Sequence, residues 1–160
     1  MKWIRLGIVS CGFLGCAPIA PGTFGTLGGV ALAWLLSGTR LYPLWVLAAC
    51  ASTYLVGRSL GGWAERYSGE KDPGIFVLDE VLGYLITVLW IDGPSLLALV
   101  VAFFVFRFFD IFKPALARRL EQVSGGDGIL LDDVVAGVYG LVLVMLPARL
   151  LLDVPWSASG

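Results

Sequence analysis

The sequence predicts an all-α fold: a polytopic membrane bundle of four or five hydrophobic helices, with an acidic site at the cytoplasmic helix ends. Of the 160 residues, 58% are hydrophobic and only 14% are charged, whereas a typical soluble domain has about 25% charged residues. Apolar stretches recur along the chain, and five acidic residues lie where three of these stretches begin or end. We therefore expect one membrane domain, residues 1–160, with polar chemistry at one edge.

Five apolar stretches define the predicted helices. A membrane-spanning helix needs about 20 apolar residues, and the second, fourth and fifth stretches are long enough. The first and third are shorter and contain glycines, so we expect them to tilt, to lie in the interface or to be re-entrant. Trp90–Ser95 has the composition of a turn, which joins the third and fourth stretches into a helical hairpin. In chain order, the stretches are Phe24–Ser37, Tyr42–Leu60, Leu78–Ile91, Pro94–Phe112 and Asp133–Leu152.

The basic residues indicate an orientation, provided that the stretches alternate across the membrane. Only Arg40 and Arg149 fall on one side, whereas nine lysines and arginines fall on the side of the N-terminal segment and the loops 61–77 and 115–131. Cytoplasmic loops carry such an excess of positive charge, so the second side is predicted to be cytoplasmic. The nine residues are Lys2, Arg5, Arg58, Arg66, Lys71, Arg107, Lys113, Arg118 and Arg119.

Composition also excludes several classes of function. The chain contains no histidine, which excludes Ser-His-Asp catalysis, phosphohistidine intermediates and zinc held by histidine. A net charge of −1 argues against general nucleic-acid binding, which requires a basic surface. Cys11, Cys16 and Cys50 lack the paired spacing of a zinc site, and we interpret them as small packing residues.

The acidic residues at the predicted cytoplasmic helix ends are the main candidates for chemistry. Asp79 and Glu80 open the third stretch, Asp110 closes the fourth, and Asp132 and Asp133 open the fifth. Carboxylates from three helices, without histidine or a thiolate cluster, suit a hard cation such as Mg²⁺, which prefers oxygen ligands. We therefore predict that these five residues are the catalytic acids and the metal ligands.

Basic and hydroxyl side chains nearby are candidates for binding phosphate. Arg107 and Lys113 lie three residues to either side of an acid in "FRFFDIFKP", so neighbours in this series share a helical face. Lys71 lies in the loop before the third stretch. Thr23 and Thr26 lie in a glycine-rich segment that leads into a helix, where free backbone N–H groups can hold an anion.

Small residues follow the acid pairs at a regular spacing. The settings "VLDEVLG" and "LLDDVVA" are similar, and Gly83 follows Asp79 by four residues as Gly137 follows Asp133. Small residues at this spacing allow two helices to approach closely, so the sequence permits close helix packing at the acid pairs.

Structural roles remain open for several of these residues. Asp132 alone is equally well explained as a helix cap, which is worth about 0.5–2 kcal/mol. The series of Arg107, Asp110 and Lys113 is equally consistent with ion pairs along one helix. Arg118 and Arg119 fit lipid-headgroup contacts better than a site. The convergence of five acids at one predicted depth favours a site over a set of independent caps.

Four motifs in order carry a resemblance to a known family. The chain resembles bacterial phosphatidylglycerophosphatase A from about Gly12 to Gly137, in "GFLGCAPIAPGTFGTLGG", "KDPGIFVLDEVLGY", "FRFFDIFKP" and "GGDGILLDDVVAG". The resemblance implies a magnesium-dependent phosphatase of the bacterial inner membrane, with its site facing the cytoplasm. Its substrate would be phosphatidylglycerophosphate, which it would convert to phosphatidylglycerol and inorganic phosphate.

Under this hypothesis the acids hold one or two magnesium ions, and Glu80 or Asp133 orients the attacking water. The chain lacks the motifs of other phosphatases: no arginine lies six residues after any cysteine, and no Asp-x-Asp occurs. Two other classes of function remain as alternatives. An ion-coupled transporter would need acids near the membrane midplane, and a structural subunit would tolerate alanine at any single acid.

Overall fold

The computed structural model describes residues 1–113 and 126–158, and the described part of the chain is helical throughout apart from turns and an isolated antiparallel bridge between Pro94 and Ser157. A 3₁₀ turn at Leu14–Cys16 follows the first helix. The described residues form six helices: α1 (Lys2–Val9), α2 (Pro21–Ser37), α3 (Tyr42–Ser68), α4 (Leu78–Val88), α5 (Leu96–Phe112) and α6 (Gly126–Leu151), the last with a π-helical segment at Gly140–Met145. The predicted all-α class is confirmed.

Two of the described helices are long and apolar enough to cross a membrane. These are α3, with 27 residues and a mean hydropathy of 1.2, and α6, with 26 residues and a mean hydropathy of 2.2. Helices α2 and α5 have 17 residues each, at the lower end of the usual range for a span. Membrane association is thus supported, whereas the predicted number of four or five spans stays a prediction.

Helix α4 is the central element of the bundle. Nine of its 11 residues are buried, and it packs against α2, α3, α5 and α6. At 1.5 Å per residue it is about 16 Å long, too short to cross a bilayer. The third apolar stretch was predicted to reach Ile91, but the helix ends at Val88, where Arg149 of α6 donates to the carbonyl oxygens of Val88 and Leu89 (3.2 and 3.0 Å).

Glycines allow α4 and α6 to pack backbone against backbone. A Cβ atom added at Gly83 would lie 2.7 Å from the carbonyl oxygen of Asp133, and one added at Gly137 would lie 3.1 Å from the Cα of Gly83. No ordinary side chain fits at such a contact. The close helix packing that the sequence permits at the acid pairs is present, and it fixes the distance between the two acid-bearing helices.

Two predicted helix boundaries in this region are wrong. The fifth stretch was expected to begin at Asp133, but the described helix already includes Gly126. The first stretch was expected to begin at Phe24, but α2 begins at Pro21. Asp132 therefore lies inside a helix, so its interpretation as a helix cap is also wrong. Arg118 and Arg119 lie outside the described residues.

The helices alternate in direction, so one end of the bundle collects the acidic motifs. The start of α2 touches the start of α4 and the end of α5 at Gly22, and the end of α3 touches the start of α6 at Gly61 and Gly126. At the opposite end, Gly93 packs on the carbonyl group of Ser37. All five predicted acids lie toward the first end, which we call the acidic end.

Candidate metal and phosphate site

The first turn of α4 presents Asp79 and Glu80. Val77 precedes the helix, and the backbone N–H of Glu80 donates to Oδ1 of Asp79 (3.1 Å). Carboxylates in the first turn interact favourably with the positive end of the helix dipole. The loop before α4 is tied down by a hydrogen bond from the Val77 N–H to the Val9 carbonyl oxygen (2.9 Å). Both acids are thus held on a rigid helix start.

Asp133 of α6 completes a three-carboxylate cluster. One ligand oxygen each from Asp79, Glu80 and Asp133 lies within 4.8 Å of the other two. The side chains of Asp79 and Asp133 are almost fully buried, with residue exposures of 7% and 4%. Glycine packing between α4 and α6 brings these acids together, since Gly83 contacts the Asp133 carbonyl directly. We call Asp79, Glu80 and Asp133 the carboxylate cluster.

Helix α5 adds an acid and a guanidinium to the edge of the cluster. The carboxyl group of Asp110 lies close enough to that of Asp133 to interact with it, and Arg107 Nη1 lies 2.5 Å from Asp110 Oδ2. The predicted i,i+3 ion pair within the helix is therefore present, and it also reaches the cluster. Gly22 of α2 packs against both Glu80 and Arg107, leaving no room for a side chain.

Asp132 stands apart from the carboxylate cluster. Its Oδ2 accepts from Lys113 Nζ at 3.0 Å, while its buried Oδ1 has no hydrogen-bond partner among the described residues. Successive helical side chains point about 100° apart because a turn holds 3.6 residues, so the side chains of Asp132 and Asp133 lie in different surroundings. Lys113 ends α5 with φ at +36°, a conformation that is strained for a residue with a Cβ atom.

The electrostatics of the cluster favour a bound cation. Burial raises the pKa of Asp79, and the negative charge of Glu80 raises it further. Burial also raises the pKa of Glu80, although its hydrogen bond with Asp79 and the Arg107 guanidinium lower it in part. Buried carboxylates this close cannot all be ionised without a compensating charge. A proton or a metal ion supplies that charge.

The residues fit a hard divalent cation. All the ligand atoms are carboxylate oxygens, and the buried Oε2 of Glu80 has no hydrogen-bond partner within residues 1–113 and 126–158. Oxygen-only coordination suits Mg²⁺ better than the softer metals. The specific ion is not fixed by these ligands alone, because Mn²⁺ and Ca²⁺ accept the same oxygen atoms.

The remaining predicted phosphate ligands lie at the acidic end with different surroundings. The Thr26 residue is fully buried, and its hydroxyl donates to the Gly22 carbonyl oxygen (2.8 Å). That hydrogen is therefore used within α2. Thr23 is half-buried in the first turn of α2 rather than in a turn before it, and Lys71 is exposed in the loop before α4.

Sequence reasoning missed two contributors. Gly22 approaches Glu80 and Arg107, and only the glycine-rich "APGTFGTLGG" hinted at a close approach. Asp72 lies in the motif "KDPG", and its negative charge raises the pKa of Asp79. A sequence cannot show that an exposed loop acid faces a buried one.

Comparisons with known proteins agree on one family. The family model described as phosphatidylglycerophosphatase A matches residues 7–148. A Bacteroides thetaiotaomicron protein, provisionally named a phosphatidylinositol-3-phosphatase, is 38% identical over 86% of this chain and 89% of its own length. Proteins named phosphatidylglycerophosphatase A from Haemophilus influenzae and Escherichia coli are 36% and 34% identical, each over 78% of this chain and over 77% and 72% of their own lengths. No solved structure matches the chain.

Proposed function

The chain belongs to the phosphatidylglycerophosphatase A family, and from this premise we propose that it hydrolyses phosphatidylglycerophosphate to phosphatidylglycerol and inorganic phosphate. The observation that carries the proposal is the buried carboxylate cluster, joined through Asp110 to the Arg107 guanidinium. A phosphomonoester phosphatase needs positive charge for the phosphoryl oxygens and a positioned water. This site has groups suited to both needs.

Asp79, Glu80 and Asp133 would hold Mg²⁺, and Asp110 interacts with Asp133 from the edge of the cluster. When bound, the cation would polarise the phosphate ester and supply positive charge to it. Glu80, whose Oε2 lacks a hydrogen-bond partner in the described part of the chain, would orient the attacking water and accept its proton. Asp132 was predicted to share this metal, but its contact with Lys113 supports a different role.

Arg107 and Lys113 would bind the substrate phosphate. Arg107 pairs with Asp110 at the edge of the cluster, and Lys113 pairs with Asp132, the neighbour of Asp133 in the chain, so an acid holds each cation at the acidic end. The phosphate would accept hydrogen bonds from both cations as charge develops on its oxygens. Lys71 and the start of α2, with Thr23 and Thr26, stay secondary candidates for this contact.

The bundle is proposed to lie in the bacterial inner membrane with the acidic end facing the cytoplasm. Helices α2, α3, α5 and α6 would cross the bilayer, and the chain would make its remaining crossing through the short helix α4 and residues 89–95, which the four longer helices would enclose. This arrangement agrees with the excess of basic residues on the loops at the acidic end. The headgroup would then reach the site from the membrane surface while the acyl chains stay in the bilayer.

A transporter is the weaker alternative. Its ion-binding acids would need access from both sides of the membrane, yet the carboxylate cluster lies toward one end of the bundle. Fully buried Tyr84, Leu85 and Phe106 pack in the core cluster further along the helices. Nothing in the fold or among the relatives favours transport.

Phosphate release from phosphatidylglycerophosphate in detergent micelles, with Mg²⁺ or with EDTA, tests the proposal. We expect Mg²⁺-dependent release by the wild type and a loss of at least about a hundredfold for Asp133→Asn, because a metal ligand is removed. Asp153→Asn is the matched control, since Asp153 is exposed near the other end of α6. No release by folded wild-type protein with Mg²⁺ would refute the proposal.

The relative from Bacteroides thetaiotaomicron makes phosphatidylinositol 3-phosphate a necessary second substrate in this assay. Both lipids carry a phosphomonoester, so the same cluster would serve either reaction. A higher kcat/KM for phosphatidylglycerophosphate supports the proposed substrate. The reverse preference would keep the reaction class and replace the substrate.

A further inference from the structure

A groove between α5 and α6 has a purely apolar lining. It is formed by Phe104, Val105, Phe108, Phe109 and Val144, and its volume is about 280 Å³. Gly140 of α6 lies so close to α5 that an added Cβ atom would be 3.1 Å from Cγ1 of Val105. The two helices therefore meet at the floor of the groove, and their side chains form its walls. We call this feature the α5–α6 groove.

We propose that the α5–α6 groove binds one acyl chain of the lipid substrate whose phosphate lies at the acidic end. The inference rests on the proposed function, because only a lipid phosphatase brings a hydrocarbon chain and a phosphomonoester together. It adds a site that selects substrates by their acyl chains, separate from the groups that bind the headgroup.

The apolar surface of the groove continues along α5 to the proposed phosphate-binding residues, which favours an acyl chain of the substrate as the occupant. Phe108 directly follows Arg107, and Lys113 directly follows Phe112. Phe104, Phe108 and Phe112 form an exposed row along α5, and the rings of Phe108 and Phe112 are in contact with centroids 4.7 Å apart. A hydrocarbon surface therefore runs from the groove to the residue beside Lys113.

The distance of the α5–α6 groove from the acids agrees with the length of a lipid acyl chain. Phe104 lies six residues before Asp110, and Val144 lies 11 residues after Asp133, so at about 1.5 Å per residue the groove lies about 9–16 Å from the acids. Half of the hydrocarbon core of a bilayer is about 15 Å thick. A chain attached to a headgroup at the cluster would pass through this range of depth.

The π-helical segment of α6 shapes the groove. Val144 lies within Gly140–Met145, and π-helical turns are rare and found frequently at functional sites. Val142, in the same segment, lines a second apolar groove with Pro43, Leu47 and Trp90. This second groove is bordered by the residues after α4 and the start of α3, at the end of the bundle away from the acids. This second groove is also apolar but lies far from the acids, so a substitution in it is a suitable control.

The test fills the groove and compares substrates. Val144→Trp and the control Val142→Trp are assayed on dioleoyl and on dihexanoyl phosphatidylglycerophosphate in mixed micelles, after equal melting temperatures in detergent are confirmed. We expect Val144→Trp to lower kcat/KM for the dioleoyl substrate by about tenfold or more, mainly through KM. Its kcat/KM for the short-chain substrate, and both values for Val142→Trp, should stay within about twofold of the wild type.

A second variant protects the test against misfolding. Phe104 is 66% exposed, so Phe104→Ala removes one wall of the groove with little effect on the core, and it should lower the preference for dioleoyl over dihexanoyl substrate several-fold. Equal losses on both substrates, an equal effect of Val142→Trp, or an unchanged chain preference in both groove variants would overturn the inference. A wild type inactive on both substrates would instead refute the phosphatase function itself.

Discussion

The contact between Gly83 and Asp133 makes a quantitative prediction about the carboxylate cluster. In Gly83→Ala, the new Cβ atom would lie 2.7 Å from the Asp133 carbonyl oxygen and would also overlap the ring of Phe106. Ordinary van der Waals contact begins at about 3.4 Å, so α4 and α6 must separate by about 0.7 Å at this point. The carbonyl belongs to backbone inside a helix and cannot rotate away as a flexible side chain would.

This separation should lower activity more than stability. Overpacking of a core typically costs about 1–3 kcal/mol, whereas a misplacement of about 1 Å at a catalytic site can cost about a hundredfold in rate. We expect Gly83→Ala to melt at a somewhat lower temperature and to lose about ten- to a hundredfold in kcat. The Mg²⁺ concentration for half-maximal activity should also rise, because Asp133 moves away from Asp79 and Glu80.

Activity assays over a Mg²⁺ titration, with melting in detergent as the check on folding, would measure both effects. Gly62→Ala is the matched control, since a Cβ atom at Gly62 meets only the end of the Arg66 side chain at 3.4 Å, and alanine in a helix interior is favoured over glycine by about 1 kcal/mol. Wild-type kcat and Mg²⁺ dependence in a folded Gly83→Ala protein would refute the account of how the acids are positioned.

Three further predictions concern charge. In EDTA, the free energy of unfolding of the wild type should fall as pH rises above the ordinary carboxyl range, because burial raises the pKa of Asp79 in the native state and the same group ionises at lower pH in the unfolded chain. Denaturant titrations at several pH values measure this dependence, and Asp79→Asn should make it weaker. An unchanged pH dependence in the variant would contradict the assignment. Lys113→Met should lower kcat/KM by about ten- to a hundredfold, chiefly through KM, because it removes a charged phosphate contact; an effect on kcat alone would point to Asp132 instead. Asp127→Asn should keep the hydrogen bond from Tyr54 (2.7 Å) and lose the ion pair with exposed Arg58. We therefore expect a loss of stability of no more than about 1 kcal/mol and an unchanged kcat. A larger loss, or a change in kcat, would show that Asp127 does more than join α3 to α6.

Patterns of hydrophobicity and charge predicted the features that depend on local sequence. The all-α class, the turn at Trp90–Ser95 and the acids in the first turn of α4 all follow from such patterns, and the structure has each of them. The spacing of Gly83 and Gly137 behind the acids indicated that helices can pack closely there, and both glycines lie at the contact between α4 and α6. These features share a cause, because helix packing requires small or apolar residues at a fixed spacing.

Long-range contacts decided the features that were predicted wrongly. "GGDGILL" contains turn residues, yet Gly126 is helical because the backbone of Arg58 lies against it and leaves no room for a Cβ atom. Tertiary packing here overrides the low helix propensity of glycine. The register of α6 against α4 determines which of Asp132 and Asp133 faces the cluster, since a shift of one residue changes the direction of a helical side chain by about 100°.

The balance of charge gives the strongest reason to regard this end of the bundle as a site. Lys113 neutralises Asp132, but Arg107 is the one cation in the described contacts of the four acids Asp79, Glu80, Asp110 and Asp133. Full ionisation would place more negative than positive charge in a nearly dry region, which costs stability unless protons or cations bind. A structural role would not need such an arrangement, because apolar residues of similar size would pack there at lower cost. The excess negative charge would therefore favour the binding of a cation, and that cation would in turn attract a phosphate.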